Sequence, residues 1–325
     1  MKQIKANLLL LITLVTFSAT ALKAEDGNKF NEKIKAVESA ERNNDWATAA
    51  KLCEEITKMT IDSSADAKDQ RYNIMCDAYW KLGHYYLHGH HYQFDIHKAI
   101  YNFEKSSEYK GMHYHSGEYG KAELYLTMIY NDRKYGVQNF QKSLEWLKKG
   151  SVKCPIMSYM LGEVYEYGYT YFLKDYISID ERTGRKMNAV NTKQECEPKL
   201  EFPNVQQDLK LAYQYYYDYF DRNSCYIKNA SEEVCSYKVA VALMEGDLLA
   251  QNYNDAFEYF RMYLNRTDLG YIAENNDILA DIYWRLSVMY RFGYGTIENE
   301  LKAEDFLTKA AELGHQKAIT ALKHN

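Results

Sequence analysis

The sequence predicts an all-α protein, a right-handed α/α solenoid of about six helical-hairpin repeats with one loop or small hairpin insertion. A pattern of two amphipathic helices recurs along the chain and is clearest between Trp284 and Leu322. Only three of the 325 residues are prolines, which favours long helices. Because a unit of this size cannot bury its own apolar face, successive units must stack on one another.

One helix of each unit ends in an aromatic residue or a leucine that is followed three residues later by glycine. A glycine at this place can end the helix in the left-handed conformation. The anchor residues of this pattern are Tyr86, Tyr130, Tyr165, Leu243 and Tyr290. Arg133 replaces the glycine of the second copy. The anchors are 44, 35, 78 and 47 residues apart, so the third interval holds one repeat and an insertion.

The other helix of each unit carries a small residue, with large apolar residues three or four positions later. This spacing puts them on one helix face, where the small residue lets a partner helix approach closely. The small residues are Ala99, Ser143, Ala212, Ala256 and Ala303. An earlier, less regular pair begins at Trp46 and continues through Met75 to Tyr86.

Residues 1–24 have the features of a secretory signal peptide. Two lysines precede the apolar run Leu8–Phe17, and small residues follow it. The run is short for a membrane span, although an uncleaved anchor is the alternative. We therefore expect residues 25–325 to be a single solenoid domain, periplasmic or secreted, without an integral membrane segment after cleavage. Removal of 1–24 takes away three lysines and no acid, so the formal net charge changes from −5 to −8. This acidity disfavours nucleic-acid partners.

Three segments carry a family resemblance: LGEVYEYG (161–168), LSVMYRFGYG (286–295) and KAAELGHQKA (309–318). They resemble the Sel1-like repeat family, whose α/α solenoid repeats are related to tetratricopeptide repeats. The resemblance implies an adaptor, scaffold or regulator. It carries no catalytic residues to transfer, so we expect neither an enzyme nor a cofactor. The long, uneven spacings depart from the family pattern and suggest loops added for a specific partner.

Six cysteines follow the predicted signal, and an even number in a secreted protein suggests disulfide bonds. Cys225 and Cys235 lie near the facing ends of two helices, which meet in a helical hairpin. This arrangement resembles that of cysteine-rich bacterial members of the family, and comparable helix ends hold a second pair. The expected pairs are Cys53–Cys76, Cys154–Cys196 and Cys225–Cys235. Other connectivities are possible, and buried free thiols are the alternative.

Seven of the nine histidines lie between His84 and His115. His84 and His88 are one helical turn apart, so both imidazoles could face one zinc ion. His113 and His115, in the loop before the next helix, could complete this site. No carboxylate or cysteine here shares a recognised metal spacing, so a solvated histidine-rich edge is the alternative. A pH-sensing role would use the same residues.

A tyrosine-rich helix supplies the candidate partner-binding residues. Tyr213 and Tyr217 are four residues apart, on a stripe away from the residues assigned to packing, and tyrosine is favoured at recognition surfaces. Burial within the solenoid is the alternative. The insertion between Tyr169 and Asn204 alternates apolar and polar residues around Thr183-Gly184, as a short hairpin would. We expect a partner to contact the concave face together with this insertion.

The sequence lacks the serine-hydrolase, zinc-protease, phosphate-loop and dinucleotide-binding motifs. The predicted function is therefore a periplasmic protein-binding scaffold. It would act as an adaptor, or as an inhibitor or immunity-type protein toward a periplasmic toxin or another cell-wall-acting enzyme. The alternative is an enzyme or cell-wall ligand binder that uses the His84–His115 cluster or a tyrosine-rich groove.

Overall fold

The computed structural model describes residues 28–61, 70–109, 120–171, 199–222, 230–268 and 276–324. These ranges contain thirteen α-helices, one short 3-10 helix and one two-stranded sheet. The helices are α1 (28–42), α2 (Trp46–Thr57), α3 (Gln70–His88), α4 (Ile96–Glu108), α5 (Lys121–Asn131), α6 (Phe140–Ser151), α7 (Pro155–Tyr167), α8 (Leu209–Arg222), α9 (Ala230–Glu245), α10 (Tyr253–Asp268), α11 (Asn276–Phe292), α12 (Glu300–Glu312) and α13 (Gln316–His324). The 3-10 helix is Arg133–Tyr135, and the strands are β1 (Tyr169–Tyr171) and β2 (Lys199–Glu201). The fold is the all-α solenoid that the sequence predicts.

The chain divides into two compact units within α6. Described residues up to Trp146 belong to the first unit, and those from Leu147 belong to the second. The first unit begins with α1, a helix that the sequence analysis did not predict. Its apolar residues Phe30, Ile34 and Val37 lie at helical spacing, and α1 shares one apolar core with α2 and α3.

The predicted anchor residues share one structural role. The main-chain carbonyl of each anchor accepts a hydrogen bond from the backbone N–H of the Asp or Asn residue that caps the next helix. We call this the cross-turn bond. It joins Tyr86 to Asp95 (3.1 Å), Tyr130 to Asn139 (2.7 Å), Tyr165 to Asp208 (3.0 Å), Leu243 to Asn252 (2.9 Å) and Tyr290 to Asn299 (2.8 Å). The side chain of each capping residue accepts a backbone N–H of its own helix, so the same residue ends the turn and begins the helix.

Glycine ends four of the five anchor helices in the left-handed conformation that the sequence predicts. The four are Gly89, Gly168, Gly246 and Gly293, with φ between 69° and 78°. In the remaining repeat, the chain continues from Asp132 into the 3-10 helix that contains Arg133. Gly136, with φ of 71°, then supplies the left-handed residue three positions later. The Arg133 repeat thus reaches the same turn by a different path.

The insertion enters and leaves the repeat at one point. The two residues of the cross-turn bond are nine apart in four repeats but 43 apart between Tyr165 and Asp208, so 34 residues are added. Antiparallel pairing of β1 with β2, from Tyr169↔Glu201 to Tyr171↔Lys199, closes the base of this segment. The predicted hairpin around Thr183-Gly184 lies outside the described residues.

Small residues lie at the helix contacts, as predicted. The five small residues of the repeat pattern are fully buried. Among the described glycines within helices, the closest approach is at Gly162 of α7, where an added Cβ would lie 2.3 Å from the ring of Tyr216 on α8. This glycine allows a tyrosine ring to pack against the backbone of the neighbouring helix.

Candidate functional site

The structure places the two candidate partner-binding tyrosines, Tyr213 and Tyr217, on α8, half-buried. The Tyr217 hydroxyl donates a hydrogen bond to Asp255 Oδ2 on α10 at 2.5 Å. This bond, followed by burial, raises the pKa of Tyr217 to about 12. The Tyr213 ring lies edge-on to the Tyr216 ring, with centroids 6.0 Å apart, and burial raises the Tyr213 pKa to about 12. Both side chains therefore already serve contacts within the second unit, and their role in partner binding stays a prediction.

The aromatic residues assigned to packing do pack. Tyr219 is fully buried, and the Tyr215 ring stacks on Tyr165 of α7 with centroids 5.7 Å apart. Tyr216 is buried as well, and its hydroxyl donates to Glu166 Oε2 at 2.8 Å. Much of the aromatic surface of α8 thus belongs to the scaffold.

Ion pairs between successive repeats are a feature that the sequence analysis missed. Lys81 on α3 donates to Glu41 on α1 at 2.7 Å. In the second unit, Lys238 on α9 pairs with Glu166 on α7 at 2.8 Å. Arg285 on α11 likewise pairs with Glu245 on α9 at 2.9 Å. Each cation reaches back to a carboxylate of an earlier repeat and so helps to fix the spacing between repeats.

The sequence holds a signal for these ion pairs. Lys81, Lys238 and Arg285 each precede their own anchor residue by five positions. The same position holds Tyr125 and Met160 in the other two repeats, which hides the pattern unless the anchors are aligned first. Burial acts to lower the pKa of Lys81, but the Asp77 and Glu41 carboxylates outweigh it and raise that pKa. Lys81 therefore stays charged within the first unit.

The histidine cluster is partly assembled, in a form that the sequence analysis did not predict. His84 and His88 come together on α3, with ring centroids 4.2 Å apart. His90 joins them from the following turn, 5.9 Å from the His84 ring. His113 and His115 lie outside the described residues. Within the part of the chain that the structure describes, no group of three or more His, Cys, Asp or Glu side chains could hold a metal ion. The zinc site therefore stays a prediction that depends on His113 and His115.

His84 lies in an aromatic environment. Its ring stacks on Trp80 at 5.3 Å, and the Tyr125 ring from α5 meets it edge-on at 6.0 Å. Burial is the main cause that lowers the pKa of His84 to about 3, and the nearby His88 and His90 imidazoles add to the effect. His84 is therefore neutral at physiological pH, so it acts there as an aromatic packing residue.

The structure does not form the predicted Cys53–Cys76 disulfide. Cys53 is a buried free thiol inside α2, within the apolar core shared by α1, α2 and α3, and burial raises its pKa. Cys76 points toward α4, and its Sγ lies 3.3 Å from both the carbonyl oxygen and Oγ of Ser106. Because the two helices direct these side chains to different neighbours, the prediction from helix ends is corrected. Cys196 and Cys225 lie outside the described residues, so the pairs with Cys154 and Cys235 stay predictions.

A model of the Sel1 repeat matches five segments of the chain: residues 76–108, 120–151, 155–177, 234–262 and 280–315. Four of them each take in both helices of a pair, and the third runs from α7 into the insertion. The chain belongs to the Sel1 repeat family. Sel1 repeats generally form non-catalytic protein-interaction scaffolds.

Two solved structures are similar to this Sel1 repeat protein. A Sel1 repeat protein from Oxalobacter formigenes is 16% identical, with a TM-score of 0.38 over 88% of this chain and 67% of its own. A protective antigen of uropathogenic Escherichia coli strains, which displays an SLR fold, is 14% identical, with a TM-score of 0.37 over 87% of this chain. This chain spans 49% of that antigen. A comparison with curated proteins found no match.

The second unit exposes large apolar side chains at the turn between α11 and α12. Phe292, Ile297 and Leu301 are 57%, 87% and 81% exposed. Tyr294 stands among them in the chain, and its ring stacks on Tyr253 with centroids 4.6 Å apart. Sequence reasoning missed these residues, because exposure becomes visible only when the helices are paired. Within the described residues, no helix combines the length and apolar character that crossing a membrane requires.

Proposed function

We propose that this Sel1 repeat protein is a secreted, periplasmic scaffold that binds one protein partner. It acts as an adaptor, or as an inhibitor or immunity-type protein toward a periplasmic or cell-wall-acting enzyme. The signal-like sequence of residues 1–24 supports the compartment. The Sel1 repeats support protein binding as the activity.

The observation that carries the proposal is the insertion at the turn between α7 and α8. The cross-turn bond between Tyr165 and Asp208 is formed at 3.0 Å, although this turn is 34 residues longer than the turn of the other four repeats. The repeat therefore does not need the added residues for its own fold. Extra chain added to an intact scaffold is typical of a functional loop.

The negative charge of the chain supports a partner with a basic surface. Without residues 1–24 the formal net charge is −8, since three lysines are removed from a chain of net charge −5. Opposite charge on the partner would speed association, and the rate would fall as salt screens the attraction.

The test is to express the full chain with its own N-terminus in a bacterial host. We expect the periplasmic fraction to hold a protein whose mass lacks residues 1–24. Chemical cross-linking and affinity capture from that fraction should give one stoichiometric protein partner, identified by mass spectrometry. Retention in the cytoplasm would contradict the compartment, and the absence of any stoichiometric partner would contradict the binding role.

The two forms of the proposal differ in what happens to the partner. If the captured partner is an enzyme, its activity is measured with and without an equimolar amount of the scaffold. Loss of activity favours the inhibitor or immunity role. Unchanged activity, together with recruitment of a further protein to the complex, favours the adaptor role.

A further inference from the structure

The cross-turn bond gives the five repeats a common register, in which an exposed residue can be compared with its counterparts. Leu301 lies two residues after the capping Asn299 and is 81% exposed. The counterparts of Leu301 in the other repeats are His97, Gln141, Lys210 and Asn254, all polar and exposed. The fold of the repeat therefore tolerates a polar residue at this position, and the leucine has no structural cause there.

Two other large apolar residues near Leu301 are exposed, at positions where only some of the counterparts are apolar. Ile297 lies two residues before the cap and is 87% exposed. The counterparts of Ile297 are Gln93, Val137, Gln206 and Ala250. Phe292 lies two residues after its anchor and is 57% exposed. The counterparts of Phe292 are His88, Asp132, Tyr167 and Glu245. The last Sel1 repeat thus concentrates exposed apolar side chains at one turn and the start of α12, a surface that we call the turn patch (Phe292, Tyr294, Ile297 and Leu301).

The backbone of the turn patch is fixed from both sides. The cross-turn bond joins Tyr290 to Asn299 at 2.8 Å, and Arg291 pairs with Glu300 at 2.8 Å across the same turn. Gly295, with φ of 67°, lies so close to the neighbouring repeat that an added Cβ would be 2.1 Å from the Tyr253 carbonyl oxygen. A turn held in this way presents its apolar side chains without a large ordering cost on binding.

Exposed carboxylates lie next to the turn patch. Glu298 falls between Ile297 and the cap, and Glu304 lies one helical turn after Leu301. Neither carboxylate forms an ion pair with a residue that the structure describes. Two cations of this turn have other contacts, since Arg291 pairs with Glu300 and the Lys302 ammonium lies 5.0 Å from the centroid of the Tyr290 ring. The turn patch therefore lies beside two carboxylates that form no ion pair with a described residue.

We propose that the turn patch is the docking site for a segment of the protein partner that carries apolar side chains next to lysine or arginine. The apolar side chains of the segment would cover Phe292, Ile297 and Leu301, and its cations would meet Glu298 and Glu304. Anionic lipid headgroups are disfavoured by the same carboxylates. A second copy of this chain would bring two acidic patches together, which costs free energy. The proposal rests on the proposed protein-binding function and adds the place and the chemistry of the contact.

The test uses synthetic helical peptides and fluorescence anisotropy with the full-length protein. One peptide has leucine on one face and lysine on the other, a second has glutamate in place of lysine, and a third has serine in place of leucine. The Ile297→Gln/Leu301→Gln double variant copies residues that other repeats carry at these positions. We expect the leucine–lysine peptide to bind best and the double variant to bind it about tenfold more weakly. Val152→Gln is the matched control, because Val152 is 79% exposed at a different turn, and it should bind as the unchanged protein does.

Equal binding of the leucine–glutamate peptide, no binding of any peptide, or full binding by the double variant would overturn the proposal. So would a dimer, or binding to vesicles of anionic phospholipid, that the double variant abolishes. Unfolding midpoints check the fold, and Leu301→Asn, which copies Asn254, replaces the double variant if that variant does not fold. If the partner is captured equally by the unchanged protein and the double variant, the docking site is wrong and the proposed function stands. If peptide binding depends on the turn patch but no protein partner is captured, the docking site is supported and the proposed function fails.

Discussion

His84 makes the first unit sensitive to acid. Burial, followed by the neighbouring imidazoles, lowers its pKa to about 3 in the folded protein, from an ordinary value of 6.5. Between these two values the unfolded chain binds a proton at His84 and the folded chain does not. The neutral His84 therefore leaves the free energy of unfolding at its full value above pH 6.5, and this free energy decreases as the pH falls toward 3.

The size of the effect follows from the two pKa values. A pH of about 4.5 lies about two units below the ordinary pKa of 6.5, which is the value of His84 in the unfolded chain. At ~1.4 kcal/mol per unit, protonation then favours the unfolded chain by about 3 kcal/mol. The side chain keeps some contact with solvent, so we expect a measured value of about 2–3 kcal/mol.

His84→Phe removes the titrating group and keeps an aromatic ring against Trp80 and Tyr125. We expect the free energy of unfolding of the unchanged protein to fall by about 2–3 kcal/mol more than that of the variant between neutral pH and pH ~4.5. Urea unfolding at each pH measures this difference, and hydrogen exchange of the α3 amides reports on the first unit separately. Parallel pH profiles of the two proteins would refute the reasoning, because they would place His84 in contact with bulk water.

Three further changes test the helix packing, the tyrosine assignment and the insertion. Gly162→Ala places a methyl group against the Tyr216 ring, so unfolding should become easier by about 1–3 kcal/mol; an unchanged midpoint contradicts the close approach. Tyr217→Phe removes the hydrogen bond to Asp255 and should cost about 1–2 kcal/mol; unchanged stability with lost partner capture would instead assign the Tyr217 hydroxyl to the partner contact. Replacement of residues 172–198 by Asn-Gly should close β1 onto β2 with the helical circular dichroism preserved, and should abolish partner capture; undiminished capture would show that the insertion is not needed.

Glycines and small residues made the repeat predictable from the sequence. A glycine three residues after four of the five anchors indicates a helix end, and an alanine or serine at the apolar face of the next helix indicates a close contact. Both signals are local, so they survive in a single sequence. The break at Arg133 shows their limit, because there the left-handed residue is supplied by Gly136, beyond a 3-10 helix that the repeat pattern does not contain.

The sequence could not give the rotation of each helix about its own axis. Cys53 and Cys76 were paired because helix ends meet in a hairpin, but the rotation of α3 turns Cys76 toward Ser106 on α4. The same information was missing for Tyr217, which sits on the stripe expected to be open and yet reaches Asp255 on α10. Rotation depends on packing against several neighbours at once, which local spacing does not encode.

The register defined by the cross-turn bond separates what the scaffold needs from what it does not. Positions that carry the fold agree among the repeats, as the buried small residues and the capping Asp or Asn residues do. Two departures stand out in the second unit: the insertion after Gly168 and the exposed apolar residues around Ile297. The insertion and the residues from Phe292 to Ile297 lie in the same kind of turn, between an anchor and its cap, and both leave the cross-turn bond intact. Because this bond holds the ends of the turn whatever lies between them, the residues within the turn can change without cost to the repeat. The anchor-to-cap turn is therefore the part of this Sel1 repeat protein where binding specificity can be added most freely.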